Sequence, residues 1–378
     1  MTLEFLEDEL LVAAVRGGAA PWRREVDLQS FLRRCDFHGV APLILDRGCP
    51  PDWPVECIDA LRSRARAAAM WELSHQQNLS AVLADLWSAG VRPVLMKGTA
   101  LAYSIYENPV VRTRGDTDLI IPREHKAVTD EVLTRLGFVR AMSIAGDFVS
   151  YQANYERLSI GGLGHSLDVH WRINNAEVLA GLFKHEELLA ASIPLPRLSP
   201  YARGPSRIHS LLIACMHRST HNHNPYYVGG IANYSADRLI WLKDIDLLAT
   251  SLDDHEWQIL VADAADRGLH AVCLDGLKAA ESKFGTRCPP QVQHALSWRG
   301  EQEPANVYLR ANGFRRAWMN CHALPDWSSR GAWLRENLLP PADYMRAKYR
   351  GNDLPLWWLY LRRASKGLVR RATGSDGI

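Results

Sequence analysis

The chain has 378 residues, of which 47% are hydrophobic and 23% are charged, and its formal net charge is +2. This length suits two or three subdomains with a sizeable core, and the small net charge gives no clear nucleic-acid signature. Seven scattered cysteines without a C-x-x-C pair argue against a disulfide framework and a zinc ribbon. The N-terminus lacks the pattern of a signal peptide and no apolar run is long enough for a membrane span, so we expect a cytoplasmic protein.

The N-terminal part of the chain has the apolar spacing of helices. Apolar residues recur at helical intervals over residues 2–16, 26–37 and 56–89. The pattern changes only at Val91, where a short apolar run begins. We therefore predict a helical N-terminal region over residues 1–89.

Strand patterns concentrate in the next block of the chain. The predicted strands are residues 91–96, 119–121, 138–141, 148–160 and 166–171. Helices are predicted between the first of them, over residues 99–106 and 123–136. The stretch from Gly161 to Gly164 has no helix after it, so it predicts a hairpin turn rather than a dinucleotide-binding loop.

Helical spacing returns after residue 174. The predicted helices are residues 206–220, 236–250, 254–267, 269–283 and 354–371. Pro-rich breaks lie at 194–205 and 339–341. The whole pattern predicts an α+β fold, in which a small mixed β-sheet core at residues 90–175 is flanked by mainly helical regions, 1–89 and 176–378.

A turn of three residues, Lys97-Gly98-Thr99, links the first predicted strand to a helix. Gly98 lets a ligand approach the backbone, and the free amide groups at a helix N-terminus favour an anion such as phosphate. Thr99 is expected to cap the helix and to offer a hydroxyl group. Lys97 is either a phosphate-binding cation or an exposed charge at a strand end.

Two aspartates stand two positions apart where the next strand begins. Because residues i and i+2 of a strand face the same side, the carboxylates of Asp116 and Asp118 are expected to converge. Converging carboxylates repel each other unless a cation lies between them, and Mg²⁺ commonly binds one or two carboxylates plus substrate phosphates. The pair predicts a divalent-metal site, although Asp-x-Asp alone is also common in solvated turns.

Residues 96–121, MKGTALAYSIYENPVVRTRGDTDLII, resemble a known family. A Gly turn followed by D-h-D on the next strand is similar to the signature of the DNA polymerase beta-like nucleotidyltransferase superfamily. The pattern L-x-K-G-x-A-L-A-x-x-x-Y, then R-x-x-x-D-x-D-L, looks like its branch of uncharacterised nucleotidyltransferases. The third carboxylate of that branch lies in a D-x-H-W strand, which matches Asp168-Val169-His170-Trp171. Where the superfamily usually has Gly-Ser this chain has Gly98-Thr99 preceded by Lys97, so the hydroxyl is retained and a different arrangement of the phosphate contacts is expected.

The resemblance implies two-metal nucleotidyl transfer from an NTP, with ATP as the first choice. Asp116 and Asp118 are implied to hold the Mg²⁺ or Mn²⁺ ion on the triphosphate, and Asp168 joins one of them at a second ion. A hydroxyl of an unknown small molecule, peptide or protein attacks the α-phosphorus, in a natural-product or polysaccharide pathway if the family's usual gene context applies. The side chains implied to neutralise the pyrophosphate are Lys97, Arg112 and Arg114.

Alternative interpretations remain open at this point. A catalytically silent nucleotide-binding scaffold would keep the same pocket, and metal-dependent release of pyrophosphate separates it from an enzyme. His217, His221 and His223 suggest a metal site, but no nearby carboxylate or Cys completes a zinc set, which favours polar contacts at a helix end. Arg238 and Lys243 lie on a helix resembling one of the same family, where they either face the nucleotide or simply belong to a packing helix.

The C-terminal segment LPLWWLYLRRASKGLVRR mixes aromatic residues with Arg. This composition suits a helix lying on a membrane surface. A buried amphipathic helix with a basic outer face is the interpretation that we favour.

Overall fold

The computed structural model describes residues 3–142, 148–159, 161–222, 226–228, 231–233, 237–298, 300–349 and 354–373. These residues form a small mixed β-sheet with helices before and after it along the chain. The predicted α+β fold class is confirmed.

Helices precede the sheet, and they are α1 (Leu3–Arg16), α2 (Leu28–His38), α3 (Ala41–Arg47) and α4 (Val55–Ser88). The three helices predicted for this region are confirmed to within two residues, whereas α3 was not predicted. The ends of α2 follow from its capping residues. The Asp27 carboxylate accepts a hydrogen bond from the Ser30 backbone N–H, and the helix ends at Gly39, whose φ is 68°.

The central sheet consists of β1 (Val94–Met96), β2 (Asp116–Ile120), β3 (Val139–Arg140), β4 (Gln152–Leu158) and β5 (Gly164–His170). The strands lie in the order β1-β2-β5-β4-β3. Strands β2 and β5 are parallel, and the other described neighbours in this sheet are antiparallel. Helix α5 (Lys97–Ser104) follows β1 without a loop, and α6 (Lys126–Arg135) leads from β2 to β3. Short 3-10 turns occupy Pro109–Val111 and Arg123–His125.

Strands β4 and β5 form a hairpin through the glycine-rich turn. The backbone N–H of Ser159 donates to the carbonyl of Leu163 at 2.9 Å, and Gly162 N–H donates to the Ser159 carbonyl at 2.9 Å. Gly162 has a φ of 74°, which a residue with a Cβ rarely adopts. The predicted hairpin turn is confirmed.

The described helices after the sheet are α7 (Glu177–Ala180), α8 (His185–Ala190), α9 (Arg207–Asn222), α10 (Leu239–Thr250), α11 (Asp254–Arg267), α12 (His270–Phe284), α13 (Pro290–Ser297), α14 (Pro304–Arg310), α15 (Gly313–Ala323), α16 (Trp327–Leu338), α17 (Ala342–Tyr349) and α18 (Leu356–Thr373). Two small hairpins pair β6 (Ile193–Pro194) with β7 (Arg203–Gly204) and β8 (Tyr226–Val228) with β9 (Ile231–Asn233). The five helices predicted in this region are confirmed to within three residues. Helices α7, α8 and α13 to α17 and the small hairpins were not predicted.

The outer face of α18 is not the basic surface that we predicted. Leu359 is buried, but Trp357, Trp358 and Leu361 are 62%, 48% and 55% exposed. The helix therefore turns an aromatic and aliphatic side to the solvent, and a buried helix with a basic outer face is wrong for these positions. In the part of the chain that the structure describes, no helix is long and apolar enough to cross a membrane.

Three hydrophobic clusters hold the elements together. One packs α4, α5 and α6 against the sheet, and another packs α1 to α3 and the start of α4 against the start of α10. The third joins α9 to α14 with Val94, Met96 and Ile120, which lie on β1 and β2. Helices from both flanking regions thus pack around the strands that carry the aspartates.

Candidate active site

Strands β2 and β5 bring three carboxylates to one cavity. Asp118 on β2 is in register with Asp168 on β5, and Asp116 is in register with Ser166. Because β2 and β5 are adjacent, residues in register lie side by side. Asp116 and Asp118 are two positions apart on β2, so their side chains face the same side of the sheet. All three aspartates line a cavity of about 490 Å³.

Asp118 is the most tightly held of these carboxylates. Its side chain is 8% exposed, and its Oδ1 accepts hydrogen bonds from Lys97 Nζ at 2.5 Å and from His170 Nε2 at 2.9 Å. Burial alone would raise the pKa of Asp118, but the Lys97 ammonium group and the His170 hydrogen bond outweigh it and lower that pKa well below its usual value. Asp118 is therefore an anion throughout the physiological range.

His170 had no role assigned from the sequence. It lies two residues after Asp168 on β5, so the alternation of side chains along a strand places both on the same face. The same reasoning that paired Asp116 with Asp118 applies to Asp168 and His170. The D-x-H-W pattern was therefore sufficient to predict that His170 lies on the same face as Asp168.

Lys97 carries an unusual backbone conformation at the point where β1 meets α5. Its φ is 49°, and among the described residues it is the single non-glycine residue with a positive φ. A left-handed conformation costs a residue with a Cβ roughly 1–2 kcal/mol. Burial alone would lower the pKa of Lys97, but the neighbouring Asp118 carboxylate raises it, so the ammonium group stays charged. Lys97 is among the residues that line the cavity.

Gly98 leaves room beside two arginines. A Cβ added at this position would lie 3.4 Å from Arg112 NH1 and 3.4 Å from the Arg114 Cβ. These contacts are tight, so a larger residue would press on the cavity wall. Gly98 itself lines the cavity.

Thr99 does not cap α5, which corrects the expectation from the sequence. The helix begins at Lys97 with Met96 as the preceding residue, so Thr99 already lies inside the first turn. Its buried hydroxyl lies 2.8 Å from the Thr117 hydroxyl and accepts from Arg114 Nε at 3.0 Å. The hydroxyl thus ties α5 to β2 and is not among the groups that line the cavity.

Arg112 and Arg114 line the cavity, but each is also bound to a buried carboxylate. Arg112 Nε and NH2 donate to the two oxygens of Asp244 on α10 at 2.8 Å and 2.6 Å. Arg114 NH2 donates to Glu72 on α4 at 2.8 Å. These partners offset much of the positive charge that the sequence assigned to the pyrophosphate. Both arginines also join the sheet to the flanking helices.

Asp168 is held by neutral donors rather than by a cation. Asn154 Nδ2 donates to its Oδ1 at 2.6 Å, and Gln152 Nε2 donates to its Oδ2 at 3.2 Å. Asn154 is the cross-strand partner of Asp168 in the β4–β5 register. The amides orient the carboxylate without neutralising it.

Asp116 is the carboxylate that opens most freely into the cavity. It is exposed at the start of β2, but protein surrounds its other sides. This partial burial, followed by the charge of Asp118, raises the pKa of Asp116 to about 6. A raised carboxyl pKa beside a second carboxylate is the electrostatic condition that a bound cation relieves.

A metal ion would find suitable ligands in this cavity. Asp118, Asp168 and His170 each offer a ligand atom, and these atoms lie within 4.8 Å of one another. Oxygen ligands suit Mg²⁺ and Mn²⁺, and an imidazole in the set favours Mn²⁺ over Mg²⁺. The residues present therefore fit a divalent cation, and Asp116 borders the same space.

Aromatic side chains line another part of the cavity wall. The ring centroids of His217 and Trp241 are 5.0 Å apart, and those of His221 and Trp241 are 5.3 Å apart. Burial lowers the pKa of His217 and lowers that of His221 to about 4, so both imidazoles are neutral near pH 7. No metal group among the described residues includes them, and His223 lies outside the described residues.

The two basic residues singled out from the sequence have different surroundings, with Arg238 directly before α10 and Lys243 on it. Arg238 lines the cavity and donates from Nε to the Phe37 carbonyl at 2.5 Å. The Lys243 ammonium group donates to Asp246 at 2.7 Å, and Lys243 is not among the residues that line the cavity. A nucleotide in this cavity would meet Arg238 and not Lys243.

A second group with metal-like spacing lies outside the cavity and consists of Glu187, His209 and Asp263. Arg267 is already bound to both carboxylates of this group. The guanidinium group supplies the positive charge that a metal ion would otherwise bring. The group is a salt-bridge network between α8, α9 and α11.

A protein-family model matches more than half of the chain. The family described as uncharacterised nucleotidyltransferase has a model that matches residues 24–285, which include the three aspartates and the aromatic wall. No curated protein and no solved structure matches the chain.

Proposed function

The chain belongs to the uncharacterised nucleotidyltransferase family and is a transferase, and from this premise we propose the reaction that its cavity performs. It moves a nucleoside monophosphate from an NTP, most simply ATP, to a hydroxyl group of an acceptor. One observation carries the proposal: Asp118 and Asp168 lie side by side on β2 and β5 within the cavity that also receives Lys97 and Gly98.

The proposed ligands for divalent metal are Asp116, Asp118, Asp168 and His170. A bound Mg²⁺ or Mn²⁺ ion would stabilise the charge that develops on the phosphate oxygens and favour loss of the acceptor proton. The fit rests on the donor set described above, in which two carboxylates and an imidazole share one small volume. His170 Nε2 donates to the Asp118 oxygen in the structure, so binding the ion through Nε2 would require His170 to give up that hydrogen bond and its proton.

The chain's own residues bind and orient the reactants in this proposal. Lys97 leaves Asp118 and turns to the triphosphate, beside the backbone of Gly98. Asp168, oriented by Asn154 and Gln152, accepts the hydrogen bond of the acceptor hydroxyl. The hydroxyl oxygen forms a bond to the α-phosphorus, the bond from that phosphorus to the β-phosphate oxygen breaks, and pyrophosphate leaves with the electron pair. The proton of the hydroxyl passes to the Asp168 carboxylate or to water.

The part of the cavity wall formed by His217, His221 and Trp241 is neutral and aromatic, which suits the nucleobase of an NTP. Trp241 and His221 line the same cavity as the carboxylates, and aromatic rings can stack with any base. The wall supports an NTP substrate without selecting among bases. Its residues lie on α9 and α10, which join the flanking helical region to the sheet.

The test measures ATP binding and pyrophosphate release together. Ligand binding to the folded protein raises its melting temperature, and we expect a rise of a few degrees with ATP plus Mg²⁺ or Mn²⁺, but little with ATP alone. Asp118→Asn should lose most of that rise, whereas Asp85→Asn, at an exposed carboxylate on α4, should keep it. Pyrophosphate release is then screened with candidate acceptors.

Two results would count against the proposal. An equal shift with and without metal, in both variants and the unchanged protein, would place ATP outside this cavity. Metal-dependent ATP binding without any pyrophosphate release across acceptors, and without slow ATP hydrolysis, would favour the silent nucleotide-binding scaffold instead.

A further inference from the structure

The C-terminal helices differ in charge from the rest of the chain. Residues 313–373, which span α15 to α18, contain 12 Lys or Arg and four Asp or Glu, a net charge of +8. The whole chain has a net charge of +2, so the remaining residues are acidic overall. This segment also holds five of the 13 tryptophans. Positive charge and tryptophan are thus concentrated in one helical segment.

Apolar side chains are exposed where α16 and α18 meet. We call Leu338, Leu339, Trp357, Trp358 and Leu361 the apolar C-terminal patch. All five are large hydrophobic residues that are between 48% and 62% exposed. Soluble surfaces rarely expose several such side chains side by side, and a contiguous apolar patch marks an interaction site.

Hydrogen bonds place the two parts of this patch next to each other. Tyr360 donates its hydroxyl to the Pro340 carbonyl at 2.7 Å, and Arg363 Nε donates to the Asn337 carbonyl at 3.3 Å. The residues between Asn337 and Pro340 are therefore adjacent to the first half of α18. On α18 itself, positions 357, 358 and 361 share one side of the helix, opposite the buried Leu359.

Exposed cations lie on the helices that carry the patch and on α17 between them. They are Arg335 on α16, Arg346 and Lys348 on α17, and Arg362 on α18. Helix α17 packs against α18, which brings its basic residues close to the apolar patch. An apolar face with Trp and Leu beside Lys and Arg is the pattern of a helix that lies in the interface of an anionic membrane.

We propose that the apolar C-terminal patch docks this protein onto the surface of an anionic lipid bilayer. The charge argues for lipid over a second copy of the chain, because two segments of net charge +8 repel each other. The leucines argue for lipid over nucleic acid, because a base stacks on an aromatic ring but gains little from Leu338, Leu339 or Leu361. Acyl chains accept both kinds of side chain, and lipid phosphates pair with the arginines.

One helix, α15, connects the patch to the cavity. Asn320 on α15 lines that cavity, and α15 packs against α18. Helix α15 therefore contacts both the cavity and the helix that carries most of the patch. This docking is independent of which reaction the cavity performs.

The experiment is sedimentation of the full chain with vesicles. We use vesicles of phosphatidylcholine alone and of three parts phosphatidylcholine to one part phosphatidylglycerol, at low and high salt. Binding should be at least about tenfold stronger to the anionic vesicles and weaken with salt. The double variant Trp357→Ser/Leu361→Ser should lose about tenfold or more of that binding. Trp298→Ser, at an equally exposed position after α13, should bind as the unchanged protein does.

Further readouts keep the result interpretable. The melting temperature and its shift with ATP and metal should be the same in the double variant and in the unchanged protein, which shows that folding and the cavity are intact. Equal binding of the double variant and the unchanged protein to anionic vesicles would overturn the proposal. So would a mass in solution that falls from dimer to monomer in the double variant without lipid, or RNA that binds the patch in preference to the anionic vesicles.

Discussion

The ammonium group of Lys97 lies 2.5 Å from the carboxylate of Asp118, between the start of α5 and the middle of β2. The pair brings a cation to the position where two converging carboxylates most need one. A divalent metal ion would compete with Lys97 for the same oxygen, and the released ammonium group would then be available to the triphosphate. Lys97 thus couples metal binding to nucleotide binding in the reaction that we propose.

Substitution of Lys97 separates its charge from its backbone conformation. Lys97→Gly and Lys97→Ala both remove the ammonium group, so both should weaken ATP binding about tenfold or more. Glycine adopts a φ of 49° without steric cost, whereas alanine does not. The Gly variant should therefore be more stable to urea unfolding than the Ala variant by about 1 kcal/mol. Equal stability of the two would mean that this φ carries no strain, and undiminished ATP affinity would remove Lys97 from the phosphate contacts.

Arg112 should behave as a structural residue as well as a cavity residue. Its guanidinium group and Asp244 are 6% and 3% exposed, so Arg112→Met leaves a buried carboxylate without its main cation. Breaking such a pair costs about 3–5 kcal/mol, and Arg112→Met/Asp244→Leu should restore most of the stability. Arg135→Met, which breaks an ion pair whose arginine is 65% exposed, should cost less than about 1 kcal/mol. Unfolding in urea measures all three, and an Arg112→Met protein of normal stability would contradict the prediction.

A pH-dependent contact ties α1 to the start of α10. His38 Nδ1 accepts from the Leu239 backbone N–H at 3.1 Å, so a neutral His38 carries its proton on Nε2, which donates to Asp8 Oδ1 at 3.1 Å. Arg34 donates to both oxygens of Asp8. Burial alone would raise the pKa of Asp8, but His38 and Arg34 outweigh it and lower the pKa to about 2 from its ordinary 3.8.

The lowered pKa of Asp8 fixes the direction of the pH effect. A carboxyl group with a depressed folded-state pKa adds stability above its ordinary pKa, and that stability is lost as the pH falls toward the folded value. Asp8→Asn should therefore cost about 2 kcal/mol near neutral pH, and the difference from the unchanged protein should shrink between about pH 4 and pH 2. Urea unfolding at several pH values measures it, with Asp59→Asn at an exposed carboxylate as the control. A difference that does not change with pH would contradict the assigned pKa.

Periodicity predicted much of the fold, because apolar spacing depends on neighbouring residues. Helix α11 was predicted with its exact ends, and Asp253 shows why, since its capping box with Glu256 is readable from the sequence. The short helix α3 was not predicted, because its seven residues hold less than two full turns of periodic pattern. The domain boundaries at residues 89 and 175 stay predictions. Packing crosses both boundaries, since Leu83 on α4, Leu167 on β5 and Leu195 share one hydrophobic cluster.

The contacts of the site residues could not be predicted from the sequence where the two partners are far apart along the chain. The pairing of Arg112 with Asp244 joins residues 132 positions apart, and that of Arg114 with Glu72 joins residues 42 positions apart. No local pattern reports such contacts, so the arginines appeared to be available for phosphate. His170 is different, because strand alternation alone would have placed it beside Asp168.

The roles of Asp168 and Asn154 can be separated by kinetics. Asp168→Asn removes one charge but leaves Lys97 and Gly98 in place, so the affinity for ATP should change little. Turnover should fall on the order of a hundredfold or more, because the lost interaction strengthens only as the acceptor hydroxyl becomes a nucleophile. Asn154 is a positioning residue for Asp168, so Asn154→Ala should lower turnover less and also leave ATP affinity unchanged.

A double variant and a matched control decide whether Asn154 acts through Asp168. If it does, Asp168→Asn/Asn154→Ala should have the turnover of Asp168→Asn alone, since the second change has nothing left to position. Ser166→Ala removes the other hydrogen-bond partner of the Asn154 amide, at 2.8 Å, without touching Asp168, and should have nearly normal turnover. Titration measures ATP affinity, and released pyrophosphate measures turnover. An Asp168→Asn protein with normal turnover would end its assignment as the third carboxylate, and one that no longer binds ATP would place Asp168 among the nucleotide contacts instead.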